Sequence, residues 1–144
     1  MKPLENIKLK VNPNLYDKLP TKWKKIGNVL IIDLENLADD KKKGIAEIYA
    51  DELNVKTVIQ KRKVSGELRK PEKIDLLYGT ETITETSEYG IKYRLDLSEI
   101  MWSPGNTGWR SALAGPEKVN DFYSFDKPRT IIDYFAGIGY FALQ

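Results

Sequence analysis

Apolar positions recur along the chain at two different spacings, and each spacing predicts a different element. Residues 28–34, Asn-Val-Leu-Ile-Ile-Asp-Leu, form a short continuous apolar run behind Gly27, the pattern of a buried strand. From residue 41 the period lengthens. Ile45, Ile48, Tyr49 and Leu53 fall on one face of a helix over 41–53, with Glu47, Asp51 and Glu52 around them. Residues 55–60 return to a β-branched run, so strand, helix and strand predict a right-handed crossover onto one shared sheet. Strict alternation follows: threonine with glutamate or isoleucine over 80–86, then Ile91, Tyr93, Leu95 and Leu97 against Lys92, Arg94 and Asp96. The Ser-Glu-Tyr-Gly stretch at 87–90 joins these two as a hairpin. The expected fold is therefore α/β, a small mixed sheet of strands near 28–34, 55–60, 80–86 and 91–97 with the helix packed on it. Residues 1–20 mix charge with Pro3, Pro13 and Pro20 and read as irregular. Residues 100–110 are too rich in Gly and Pro for a long element, with a short helix expected beyond Asn106, and 121–129 read as a turn-rich connector.

The end of the chain carries the most specific pattern. Residues 130–135 are β-branched and aromatic, as in a strand covered on both faces, which puts 133–139 at its carboxyl end, where open α/β sheets bind ligands. Gly137 and Gly139 free the backbone to turn, and the amides opening a following helix would meet a carboxylate or a polar ligand edge. Asp133, Phe135, Ala136, Gly137, Ile138 and Gly139 together resemble the first motif of S-adenosylmethionine-dependent transferases. An ordinary glycine turn between strand and helix is the plain alternative. A dinucleotide site fits less well, because the third glycine is missing from its expected place.

Composition then narrows the chemistry. The chain has 144 residues, 41% hydrophobic and 31% charged, enough for one ordinary globular core. It has no cysteine and no histidine, which removes disulfides, thiolate nucleophiles, the usual zinc sites and imidazole acid–base catalysis, so no metal is expected. No apolar run reaches the 18 residues of a membrane span and no signal peptide is legible, which makes the cytoplasm the expected compartment. Net charge is only +2, so nucleic-acid binding must come from local patches. One such patch is the basic run containing Lys61, Arg62, Lys63, Arg69 and Lys70, which is either a solvated loop or a phosphate-contacting one.

A longer resemblance runs through Leu19-Pro-x-x-Trp23, Ile45-Ala-Glu-x-Tyr-Ala50, Gly66-Glu-x-Arg-Lys-Pro71, Leu76-Leu-Tyr-Gly79, Gly90-Ile-Lys-Tyr-x-Leu-Asp96 and Ile100-Met-x-Ser-Pro-x-Asn106 into the glycine motif. In that order the chain resembles the archaeal tRNA-modifying transferases that act on the guanosine 3′ to the anticodon. These are a tRNA guanine N1-methyltransferase and the aminocarboxypropyltransferase of wybutosine synthesis. Gly105 and Asn106 stand where the methyltransferase branch carries arginine after Ser-Pro, which favours the aminocarboxypropyltransferase branch.

After the irregular segment read over 1–20, the resemblance implies a small α/β tRNA-positioning domain over 21–100, a connector over 101–129 and, from 130 to 144, the first strand and glycine loop of a Rossmann-like catalytic domain. It implies S-adenosylmethionine as cofactor, with Ser103 and Arg110 at its methionine moiety, and tRNA as partner. Arginine suits a carboxylate. Read without the resemblance, Ser103 is equally a turn cap and Arg110 a surface cation. The family reaction needs no side-chain nucleophile, since the protein aligns the attacking base, and no catalytic side chain is assigned. With most of the catalytic domain absent, the chain is expected to be the amino-terminal part of such an enzyme and inert alone, or else an RNA-binding or structural module needing a partner chain. The apolar residues of 130–144 are expected to be covered by another copy, by a separate carboxyl-terminal half, or by the tail folding back on the small domain.

Overall fold

The computed structural model describes residues 2–60, 63–67, 70–72, 74–103, 105, 107–114, 130, 132, 134 and 137–140. The chain divides into two compact units, Met1–Thr86 with Arg94–Trp102, and Ser87–Tyr93 with Ser103–Gln144.

The first unit is built on a four-stranded sheet. Its strands are β1 (Lys24–Ile26), β2 (Val29–Ile32), β3 (Thr57–Gln60) and β6 (Leu76–Tyr78), in that spatial order. The pair β2 and β3 runs parallel, joined by helix α2 (Asp39–Leu53), while β1 and β6 pair antiparallel on the outside. The sheet is therefore mixed, as the pattern predicts. Helix α2 begins two residues earlier than its apolar face suggests, because Asp39 and Asp40 suit the positive end of the helix dipole. It ends at Asn54, whose left-handed φ of 49° caps the last turn. Ile45 and Tyr49 are buried as expected, Ile48 and Leu53 flank them, and Ala46 and Ala50 complete the contact with Leu30, Ile32 and Val58. Each large side chain so buried contributes about 1.5–3 kcal/mol.

Three expectations are corrected. Residues 1–20 are not irregular: helix α1 (Pro3–Leu9) and a 3-10 turn (Pro13–Lys18) form, with Pro3 and Pro13 in first-turn positions that need no amide donor. Ile7 and Val11 enter the core, so the prolines start elements instead of breaking them. The strands over 80–86 and 91–97 do not join the main sheet. They form their own hairpin, β7 (Ile83–Glu88) and β8 (Ile91–Asp96), while β1 and β6, both short and absent from the prediction, take the two sheet edges. Third, the strand expected at 130–135 is not formed at its described residues: Thr130 and Ile132 are irregular and Tyr134 is in a turn. A strand holds its shape through hydrogen-bonded neighbours, and no described strand lies beside this one.

The hairpin turns on Tyr89 and Gly90, with φ of 49° and 85°, the two positive values that a type I′ connection demands. Thr84 fastens β7 to the first unit's sheet. Its buried hydroxyl accepts from the Asn28 amide at 2.9 Å and donates to the Ile26 carbonyl at 3.0 Å, bracketing the β1–β2 turn. Gly27 sits in that turn at φ +52°, and a Cβ there would lie 2.1 Å from the Glu85 carbonyl oxygen.

Candidate functional site

In the second unit the polar groups gather around Arg110. Helix α3 (Thr107–Ala114), the short helix expected beyond Asn106, carries this residue on its inner side at 1% exposure. A guanidinium cannot be buried cheaply without partners, and its surroundings supply some of them. Nη1 donates to the Ser103 carbonyl at 3.2 Å, Nη2 lies 3.0 Å from Glu88 Oε1, and the Tyr140 ring stacks 4.5 Å from the guanidinium carbon. The plain reading of Arg110 as a surface cation is thus excluded.

Ser103 meets the same cluster. Its amide donates to the Tyr140 hydroxyl at 2.7 Å and its own hydroxyl accepts from the Gly105 amide at 3.4 Å, the geometry of a turn cap. Tyr140 closes the glycine turn, in which Gly137 and Gly139 have φ of +56° and +86°. Both values lie where only glycine is comfortable. Tyr93, at the end of the hairpin tip, packs against Tyr140 with ring centroids 6.1 Å apart, and burial pushes the Tyr140 phenol above its ordinary pKa. The residues singled out for a cofactor therefore come together in part: Ser103, Arg110, Gly137, Ile138 and Gly139 belong to one unit. Asp133, Phe135 and Ala136 lie outside the described residues.

Two members of the cluster, Glu88 and Tyr140, were not singled out from sequence. A signal for Glu88 existed in the alternation of β7, where it shares a face with Thr84 and Thr86, the more buried positions of that strand.

The basic run has a structure of its own. Strands β4 (Val64–Ser65) and β5 (Lys70–Pro71) pair antiparallel across a turn containing Gly66 at φ +71°, so this stretch is a small ribbon and not a loop throughout. Lys63 is exposed and Lys70 lies in β5, whereas Lys61, Arg62 and Arg69 fall outside the described residues. The first unit also holds a cleft of about 630 Å³ lined by Trp23, Lys24, Asp33, Gln60 and Trp102. Lys24 donates from Nζ to the Trp102 carbonyl, and burial lowers its pKa. No helix among the described residues is long and apolar enough to cross a membrane.

Residues 4–82 match the family model for the TYW2 N-terminal domain, and residues 84–144 match that for the TRM5/TYW2 methyltransferase domain. The chain belongs to the TYW2 N-terminal domain family and continues into the TRM5/TYW2 methyltransferase domain. It is 42% identical over 129 residues to a Pyrococcus horikoshii protein named tRNA(Phe) (4-demethylwyosine(37)-C(7)) aminocarboxypropyltransferase, covering 90% of this chain and 43% of that one. A Methanocaldococcus jannaschii protein of the same name is 36% identical over 122 residues, covering 85% and 44%. The crystal structure of Pyrococcus horikoshii TYW2 in complex with MeSAdo superposes with a TM-score of 0.68 at 37% identity, covering 98% of this chain and 47% of that chain. The chain thus spans less than half the length of these relatives. The family expected from the order of the sequence motifs is the family found.

Proposed function

We propose that this chain is the amino-terminal part of an S-adenosylmethionine-dependent transferase that moves a 3-amino-3-carboxypropyl group onto the modified guanosine 3′ to the anticodon of tRNA. The observation that carries this reading is the 42% identity to an aminocarboxypropyltransferase along 90% of the chain. The geometry supports it, since a buried arginine with hydrogen-bonding capacity to spare beside a glycine turn suits the carboxylate of an amino-acid moiety. In this reading Ser103, Arg110 and the glycine turn, Gly137 to Gly139 with Asp133, Phe135 and Ala136, hold the cofactor, whose sulfonium activates the carbon chain to be transferred. The protein's contribution is orientation and exclusion of water around that end. Residues 21–100 position tRNA, with Lys61, Arg62, Lys63, Arg69 and Lys70 as phosphate contacts, and 101–129 connect them to the cofactor domain. Ile132 and Tyr134, at 71% and 85% exposure, supply an apolar surface for a carboxyl-terminal half or a second copy.

The test is a double-label transfer assay using this chain with the carboxyl-terminal half of the Pyrococcus horikoshii relative supplied in trans. S-adenosylmethionine labelled at its carboxyl carbon should pass label to tRNA, and cofactor labelled at the methyl carbon should not. Methyl label in the RNA would instead mark the guanine N1-methyltransferase activity.

A further inference from the structure

The cleft of about 630 Å³ in the first unit has no part in the reading above, yet it lies where ligands are met. Strands β2 and β3 run parallel and end at Ile32 and Gln60, and the cleft opens at those carboxyl ends, where an α/β sheet leaves a crevice. Every residue lining it belongs to the first unit. Its size suits one small ligand. Three tethers hold its walls. Tyr49 donates from its hydroxyl to the Pro20 carbonyl at 2.7 Å, and its ring meets that of Trp23 edge to face with centroids 5.8 Å apart. Lys24 ties down the Trp102 carbonyl. Gln60, 4% exposed, accepts from the Leu34 amide at 3.0 Å and donates to Asp33 Oδ1 at 3.3 Å, which fixes the chain after β2.

The groups held in this way are of three kinds. Trp23 and Trp102, both half-buried, bring indole surfaces, which favour a flat ring. Lys24 is half-buried as well, spends one of its three donors on the Trp102 carbonyl, and has no carboxylate at ion-pair distance among the described residues. A half-buried ammonium without a counter-charge favours an anion. Asp33 Oδ1 already accepts from the Glu35 and Gln60 amides, and Oδ2 is left to accept from a ring N–H. A nucleotide carries all three complements. A cationic ligand, which indoles also suit, would meet Lys18, Lys22 and Lys24 against only Asp17 and Asp33. We propose that this cleft takes one unstacked nucleotide of RNA, its base against Trp23 and Trp102, its phosphate on Lys24, and its neighbouring phosphates at the exposed Lys18 and Lys22. Single-stranded RNA loops offer such bases. The inference deepens the reading of residues 21–100 as a tRNA-positioning domain and rests on it for the source of the nucleotide. It also divides the labour, since the basic run over 61–70 has no aromatic residue and can supply phosphate contacts but no stacking.

The chain's tryptophans provide the test and its control. Trp23 and Trp102 line the cleft and Trp109 is exposed on α3, so nitrogen–proton NMR of the 144-residue chain follows all three indole N–H groups, assigned by replacing each tryptophan with phenylalanine in turn. Guanosine 5′-monophosphate is the probe. It should shift the Trp23 and Trp102 resonances and leave that of Trp109 in place; no shift at millimolar nucleotide, or a shift of Trp109 alone, overturns the site. Lys24→Gln keeps a donor for the Trp102 carbonyl and should weaken the nucleotide roughly tenfold, the effect of losing a hydrogen bond to a charged group. Guanosine, which has no phosphate, should bind this variant and the wild type alike, and Lys24→Arg should recover the nucleotide. Equal loss of both ligands in Lys24→Gln, or no recovery with arginine, overturns the phosphate assignment. Adding tRNA to the nucleotide complex separates the cleft from the reading it rests on. Displacement of the nucleotide, with the same two indoles shifted, supports both. Binding of tRNA in a gel shift with the nucleotide left in place overturns the cleft and keeps residues 21–100 as a tRNA-positioning domain. Nucleotide binding without any affinity for tRNA overturns RNA as the source, and that domain's role with it.

Discussion

Replacing Thr84 by valine removes one oxygen and almost no volume, yet it should be among the more damaging single changes in the first unit. The hydroxyl serves two backbone groups at once, the Asn28 amide and the Ile26 carbonyl. Valine fills the same space and takes away both bonds, leaving the Asn28 amide without this acceptor, at a residue that is 4% exposed. An unsatisfied buried donor or acceptor costs about 1–3 kcal/mol, so Thr84→Val should lose about 2–5 kcal/mol in all. Against a typical total stability of about 5–15 kcal/mol that is a large fraction. With roughly 4–8 °C per kcal/mol for a domain of 60–100 residues, the midpoint should fall by about 10 °C or more. Urea unfolding followed by circular dichroism measures the loss, with an unchanged slope confirming that the folded state is otherwise the same. Thr84→Ser is the control: it keeps the hydroxyl, loses one methyl group, and should cost only about 1 kcal/mol. A Thr84→Val chain within about 0.5 kcal/mol of wild type, or a serine variant as weak as the valine one, would refute the argument.

Gly79→Ala should destabilise by more than Gly90→Ala in thermal melts. Both glycines have positive φ, which costs an alanine about 1–2 kcal/mol, but only at Gly79 would the new Cβ lie 2.2 Å from a backbone oxygen, that of Lys56. Asp96 accepts from the Ser98 and Thr82 hydroxyls, which hold its carboxyl below the usual carboxylate range. Its contribution to stability is therefore complete above the ordinary aspartate value and is lost as pH falls through the depressed one, so Asp96→Asn should flatten the acid limb of a urea-midpoint profile between pH 5 and 2 (roughly, from the unperturbed aspartate value). Neutralising Lys61, Arg62 and Lys63 together should weaken tRNA binding and lower the slope of log affinity against log salt by roughly three; an unchanged slope returns the segment to a solvated role.

The parts of the fold that sequence made legible are those whose side chains repeat a period over several residues. Helix α2 showed itself through Ile45, Ile48, Tyr49 and Leu53, and the hairpin through the alternation from Ile91 to Leu97. Strands β1 and β6 were hidden because each is three residues long, and β1 carries Lys24 and Lys25, as edge strands often do. They, and not the hairpin strands, take the places beside β2 and β3. The first twenty residues misled for another reason: proline at a helix start is favourable, and only the burial of Ile7 and Val11 separates that case from a break. At the candidate site Ser103, Arg110 and the glycines followed from motif order. Glu88 did not, because a lone acid next to a hairpin turn looks like solvent-facing charge until its second oxygen is seen to be buried.

The hairpin's division between the two units bears on how this protein can be taken apart. The backbone passes from one unit to the other three times, after residues 86, 93 and 102, and not once, as it does between beads on a string. A fragment ending at residue 82, where the first family match stops, would discard Thr84, and with it the clasp on the turn around Gly27, together with Leu95 and Leu97. Neither unit can be lifted out by a single cut. Any exchange of the amino-terminal unit between relatives, in the laboratory or by recombination, therefore has to carry the passage through residue 102 with it.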